Sequence, residues 1–226
     1  HKIINEINCG KIDIIIGTHA LLSSEFKFKN LGLLVIDEEQ HFGVSHKEAI
    51  KKIKSNIHVL TLTATPIPRT LQLALSGVRD LSIINSPPVD RLLVRTFVME
   101  FDGLIIREAL LREKNRGGQS FFVVPRITDM TFISDFLVNE VPEISFKIVH
   151  GQISGTSLDE VIIDFMSKKT DVLLSTSIIE SGLDFPNANT LIVHRSNIFG
   201  LSQLYQIRGR VGRAKTRAYC YLTYEQ

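Results

Sequence analysis

Leu33, Leu34, Val35 and Ile36 form an apolar run that breaks directly into Asp37, Glu38, Glu39 and Gln40. Four apolar residues with no internal polarity suit a strand buried on both faces of a parallel sheet, and acidic residues that begin where the run stops sit at its carboxyl end. Open α/β sheets bind their ligands at that end. Carboxylates placed there can hold a Mg²⁺ ion, directly or through water, and can orient a water for attack on a phosphate. A solvated acidic turn has the same composition, so the rest of the chain must decide between the two.

The 226 residues are 44% hydrophobic and 22% charged, enough to bury the core of one large or two small globular domains. No apolar run reaches the ~18 residues of a membrane span, and no signal-peptide pattern opens the chain; a soluble, cytoplasmic protein is expected. Cys9 and Cys220 lie far apart, suggest neither a disulfide framework nor a zinc site, and are expected as small buried hydrophobes. A net charge of +2 is too small to argue for a nucleic-acid partner by itself. Residues 46–54 read as a solvated basic helix face, whereas Arg208, Arg210, Arg213, Lys215 and Arg217 form a less ordinary cluster.

In chain order, residues 1–8 have helical spacing, closed by Gly10, and residues 11–16 read as a buried strand stopped at Gly17-Thr18-His19. A chain that opens on a helix and runs straight into a strand does not look like the start of a fold, so the first domain is expected to be truncated at its N-terminus. Ser45 predicts a capped helix through 54, with Glu48 at the capping-box position. The strand at 58–62 leads into Thr63-Ala64-Thr65-Pro66-Ile67-Pro68-Arg69-Thr70, a turn that its two prolines fix. A helix at 69–75 and a strand at 81–84 follow. Residues 85–91, with paired prolines and no periodicity, read as a linker, which divides the chain into domains 1–88 and 89–226. Beyond it, strands at 93–99, 120–124, 146–149, 172–174, 190–193 and 218–222 alternate with helices at 104–114, 129–139, 158–166 and 201–209. That alternation predicts doubly wound parallel sheets of the α/β class.

Arg210 and Arg213 lie three apart, so on a helix both guanidinium groups would project from one face, suited to a phosphate whose charge grows during transfer. Gly209 and Gly212 would weaken such a helix by ~1 kcal/mol each, a cost that points to close approach. Residues 175–186 follow a buried strand, where hydroxyls and backbone N–H groups suit either an anion site or ordinary helix caps. Thr18-His19 and His150-Gly151 end apolar strands in the same way. Repeated strand ends of this kind suggest a groove that tracks nucleic-acid phosphates.

Asp37 to Gln40, Thr63 to Pro66 and Gln206 to Arg213 resemble the Walker B box, motif III and motif VI of superfamily 2 helicases, and Gly17 to His19 and Ser175 to Pro186 resemble motifs Ib and V. Within that superfamily, residues 63–70, 76–84, 186–190 and 199–201 resemble the bacterial transcription-repair coupling factors. The RecG branch-migration helicases share residues 64–71 and motif VI, but usually carry one glutamate before the glutamine where this chain has Glu38 and Glu39. The resemblance implies two RecA-like domains of the P-loop NTPase type, with ATP and Mg²⁺ as cofactors. Asp37 would position Mg²⁺ and Glu38 polarise the attacking water, with Glu39 and Gln40 beside them. Arg210 and Arg213 would act as arginine fingers and Gln206 would sense nucleotide. Gly182 and Asp184 would line the nucleotide site, and Thr63 and Thr65 would couple it to DNA grip. Thr18, His19, Arg126, His150, Thr176 and Ser177 would touch the DNA backbone. His41 stands where the family tends to carry an arginine.

The implied function is ATP-driven translocation on double-stranded DNA that displaces stalled RNA polymerase and recruits excision-repair proteins, these partners engaging regions outside this chain. A RecG-like fork-remodelling helicase and a non-catalytic DNA-binding fragment are the alternatives. The third arises because the chain has no Gly-x-x-x-x-Gly-Lys-Ser/Thr: of its 14 glycines, Gly10 alone precedes a lysine, and Ile12 comes next. The chain is accordingly expected to begin part-way through the first domain and to be inactive alone.

Overall fold

The computed structural model describes residues 2–38, 42–53, 57–63, 80–84, 86, 92–153, 155–176, 185–213 and 216–225. The chain divides into two units, His1–Leu81 and Ser82–Gln226. Among the described residues every strand pairing is parallel, the α/β class that the alternation of elements predicts.

In the first unit, helix α1 (Lys2–Asn8) ends where Gly10 turns left-handed at φ 71°. Lys11 N–H then reaches Glu6 O and Gly10 N–H reaches Ile7 O, both at 2.9 Å, a glycine-dependent C-terminal cap. Strands β1 (Leu33–Asp37) and β2 (His58–Leu62) flank helix α2 (Val44–Ile53), in a βαβ unit whose helix buries Ile50 and whose first strand buries Ile36. Two expected strands do not form. Residues 11–16 and 81–84 are unpaired among the described residues, and Ile14, Ile16 and Ile84 are more than four-fifths exposed. Nor is β1 buried on both faces: Leu33 and Val35 share an exposed face with Leu60 and Leu62 of β2. An apolar run supplies the demand for burial, but a pairing strand or a covering helix must meet it, and among the described residues none lies over these segments.

The second unit meets that demand. Its six strands are β3 (Arg95–Glu100), β4 (Gln119–Val123), β5 (Phe146–Val149), β6 (Val172–Ser175), β7 (Ala188–Val193) and β8 (Tyr219–Tyr224), in the order β3-β8-β7-β4-β6-β5. Side chains alternate across the sheet. Phe122, Leu174, Ile192 and Tyr221 face α3 (Gly103–Asn115) and α4 (Ile127–Glu140), which bury Ile106, Leu110, Ile133 and Leu137. Phe121, Leu173, Leu191 and Cys220 face the other way, packed with Phe165 of α5 (Gly155–Met166) and Ile207 of α6 (Leu201–Arg208). Both faces being covered, β4, β6 and β7 are buried at every position, which is why they read as near-continuous apolar runs.

The amino end of this sheet is closed by polar clamps. Glu113 of α3 is buried, paired with Arg116 and accepting from Thr190 Oγ1 at 2.5 Å. Gln119 Nε2 donates to Phe165 O at 2.7 Å and Thr170 O at 2.6 Å. Burial would raise the Asp171 carboxyl, but Lys114 at 2.9 Å and hydrogen bonds from Ser145 outweigh it, and the group lies below its ordinary range.

The two cysteines differ, against the expectation that both are buried: Cys9 is exposed, while burial pushes the Cys220 thiol up to about 12. A thiol-specific reagent should therefore label Cys9 promptly in the native chain and Cys220 only after denaturation, so that a Cys9→Ser variant stays unlabelled until unfolded. Prompt labelling of that variant would show that the β8 core opens.

Candidate nucleotide and nucleic-acid site

Asp37 is the last residue of β1 and exposed; Glu38 follows it, half-buried. Glu38 adopts φ 52°, rare for a residue with a side chain, and its N–H is held by Leu62 O at 3.0 Å. Local strain of this kind, about 1–3 kcal/mol, persists where surrounding bonds over-determine it and concentrates at functional sites. Because Asp37 is level with Leu62, the residues that follow, Glu38 and Thr63, leave neighbouring strand ends roughly 4.8 Å apart. The acidic pair and the first of the two threonines thus share one sheet edge. Glu39, Gln40, His41 and Thr65 lie outside the described residues. Thr18 caps the short 3₁₀ turn His19–Leu22, its hydroxyl accepting from Ala20 N–H at 3.4 Å. The His19 ring lies 4.8 Å from that of His46 on α2.

In the second unit, Val123, Ser175 and Val149 are level across β4, β6 and β5. The three chains continue into Arg126, Thr176 and His150, which therefore stand at the ends of three neighbouring strands. Arg126 is exposed at the start of α4 and its side chain makes no cap bond. Thr176 donates its N–H to Val149 O at 3.3 Å, and His150 Nδ1 is buried with no hydrogen-bond partner among the described residues. Ser177, Gly182 and Asp184 lie outside the described residues.

Gln206 is half-buried on α6, but Arg210 and Arg213 are not on a helix. The helix stops at Arg208, Arg210 N–H bonds Ile207 O at 3.0 Å in a turn, and Arg213 Nε donates to Gly209 O at 3.4 Å. Gly212 explains the correction: it sits at φ 74°, and a Cβ there would meet Val94 Cγ2 at 3.0 Å and Ala218 Cβ at 3.1 Å. The close approach that the glycines imply is of backbone to core, and it sets the arginines on a turn.

A polar network escaped the sequence reading. His194, after β7, is buried between Phe101 and Phe132, at ring distances of 5.1 and 5.7 Å, with Nε2 3.3 Å from Glu225 Oε1 after β8. Arg195 places Nε 3.3 Å from Glu225 Oε2 and Nη1 3.0 Å from Asp129 Oδ1 in the first turn of α4. The strand-end rule that selected His150 would have selected His194 as well. Burial holds the His194 imidazole below its ordinary value, against the opposing pull of Glu225 and Asp129.

Residues 103–215 match the helicase conserved C-terminal domain, and residues 1–74 match the DEAD/DEAH box helicase domain. The chain belongs to the helicase family. It is 59% identical over 218 residues to the transcription-repair-coupling factor of Rickettsia prowazekii (strain Madrid E), covering 96% of this chain and 20% of that protein. It is 51% identical over 226 residues to the transcription-repair-coupling factor of Bacillus subtilis (strain 168), covering 100% and 19%. Among solved structures, RecG bound to a three-way DNA junction matches with a TM-score of 0.77 and 37% identity, covering 100% of this chain and 30% of that one. Dbp5 of S. cerevisiae, bound to RNA and ADP BeF3, matches at 0.67 and 16% identity over 92% of this chain and 57% of its own, a likeness of fold alone. The helicase chain thus spans a fifth or less of the curated relatives named here, and among its described residues no helix is long and apolar enough to cross a membrane.

The lowered His194 sets the sign of a pH effect. The folded chain releases this proton more readily than the unfolded one, so as pH falls below about 6.5 the unfolded state binds more protons and stability declines. The unfolding midpoint should drop between about pH 7 and pH 5, less steeply for His194→Gln. Equal slopes for the two proteins would assign the loss to other groups.

Proposed function

We propose that this chain is the motor portion of an ATP-driven double-stranded DNA translocase of the transcription-repair-coupling type, whose work is to displace stalled RNA polymerase and recruit excision repair. The observation that carries the reading is its 51–59% identity over almost the whole chain to proteins of that name, against 37% to RecG. The whole-chain match to RecG on a DNA junction keeps a fork-remodelling helicase as the second reading.

The residues present fit a hard divalent cation shared with phosphate. Mg²⁺ takes one or two carboxylates and completes its shell with phosphate oxygens and water, which Asp37 and Glu38 at a strand end suit. Among the described residues no group of three His, Cys, Asp or Glu gathers into a closed protein cage. When bound, the ion neutralises charge on the transferred phosphoryl group. Asp37 holds its place, and Glu38 orients the water that attacks. Gln206 senses the nucleotide, which Glu39, Gln40, Gly182 and Asp184 help to hold. Arg210 and Arg213 supply positive charge to the transition state, a role that exposure of Arg213 on a turn permits. Thr63, adjacent to Glu38 across the sheet, and Thr65 relay the phosphate state to DNA grip. Thr18, His19, Arg126, His150, Thr176 and Ser177 contact backbone phosphates, which carry no sequence information and so suit a translocating motor.

In the full-length protein, Glu38→Gln should abolish ATP hydrolysis while leaving ATP binding intact, and unchanged turnover would place the base elsewhere. Arg213→Ala should slow turnover by roughly 10³ to 10⁵, the scale of other arginine fingers, and a loss under about tenfold would make it structural. The 226-residue chain alone, which contains no phosphate-cradling loop sequence, should show no DNA-stimulated turnover; robust turnover would overturn the reading of its nucleotide site.

A further inference from the structure

Four neighbouring strands, β3, β8, β7 and β4, lead at their carboxyl ends into one network: Phe101, Glu225, His194 with Arg195, and Asp129. Arg195 is its hub, since a single guanidinium spans a carboxylate that follows β8 and one in the first turn of α4. Its backbone sits at φ 50°, ψ 48°, a left-handed conformation that costs a side-chain-bearing residue energy and holds only where its surroundings require it.

Two short mechanical links leave this hub. Downstream, Ile198 N–H bonds Arg195 O at 3.0 Å and Phe199 N–H bonds Ser196 O at 3.1 Å, so a compact 3₁₀ turn joins Arg195 to α6 and the segment bearing Gln206, Arg210 and Arg213. Across the ion pair, Asp129 N–H bonds Arg126 O at 3.1 Å, so displacing Asp129 displaces the residue that starts α4. Among the described residues the other oxygen of Asp129, Oδ2, is buried with no hydrogen-bond partner, so the Arg195 contact at Oδ1 is the ion pair that holds this carboxylate there. The pair is held at 3.0 Å with the carboxylate side chain 13% and the guanidinium side chain 32% exposed. The pair therefore follows a shift of either side as a unit.

We infer that Arg195 is a positioning residue that couples the nucleotide-facing arginine segment to the hold of Arg126 on the nucleic-acid backbone. The inference rests on the proposed function. It adds a link within the second unit, distinct from Thr63 and Thr65, through which nucleotide state reaches the phosphate-contacting edge.

The test uses the full-length protein and measures duplex-DNA affinity without nucleotide, with ADP and with a non-hydrolysable ATP analogue. The wild type should show at least a fivefold difference between the two nucleotide states. Arg195→Gln should retain the nucleotide-free affinity within twofold but reduce that difference below twofold, with Arg195→Lys, which keeps the charge, restoring part of it. Asp129→Asn, which preserves shape, should reproduce the Arg195→Gln phenotype and serves if that variant folds poorly, as thermal melting will report. A retained difference in both variants, or an equal loss of affinity in every state, would overturn the inference and leave Arg195 a packing brace. A wild type whose DNA affinity ignores nucleotide would overturn the proposed function, and the coupling with it.

Discussion

Parallel registration of the strands is the constraint on which everything else in the second unit depends. When neighbouring strands run the same way and Val123, Ser175 and Val149 lie level, each chain emerges at the same edge and turns there toward its next helix. One edge therefore collects Arg126, His150, Thr176, His194 and Glu225, which are scattered over a hundred residues of sequence. The first unit repeats the arrangement with two strands, gathering Asp37, Glu38 and Thr63. The sheet brings each group together from separate stretches of sequence, Asp37 and Glu38 arriving with Thr63 through the pairing of β1 with β2.

The opposite edge of the second unit has a different task. There polar groups pair with one another: Glu113 Oε2 with Arg116 and Thr190, Gln119 with two backbone carbonyls, Asp171 with Lys114 and Ser145, while among the described residues Glu113 Oε1 is buried without a hydrogen-bond partner. Tyr219 lies under the guanidinium groups of both Arg112 and Arg116, at 4.7 and 5.3 Å, so the cations there are occupied by the fold itself. Left-handed backbone at side-chain-bearing residues occurs at both ends of the strands, at Glu38 and Arg195 after strands and at Lys168 before β6.

The second unit was legible in the amino-acid order to within a few residues at each element, because its central strands β4, β6 and β7 are covered on both faces and their apolar runs report burial faithfully, whereas β3 at the sheet margin is largely exposed. The first was less so. Residues 11–16 and 81–84 carry the same signal as β4 or β6, but hydropathy records only the demand for a partner. The arginine pair was found by residue type and misplaced by geometry, since an i, i+3 spacing describes a turn around Gly212 as well as a helix. Asp129 and Glu225 were illegible for another reason: their significance comes from Arg195, which the sequence separates from them by 66 and 30 residues.

Parallel strands also fix how the second unit carries mechanical load. A force applied at the carboxyl edge and resisted at the amino edge runs along the strand axes, and each pairing meets it in shear. Its evenly spaced, slanted hydrogen bonds then share the strain together instead of opening one after another, as they would if the sheet were peeled from a side. The clamps at Glu113 and Gln119 anchor the far ends of β4 and β7 against that pull. The six-stranded sheet is thus stiff along the direction in which its polar edge would be pushed.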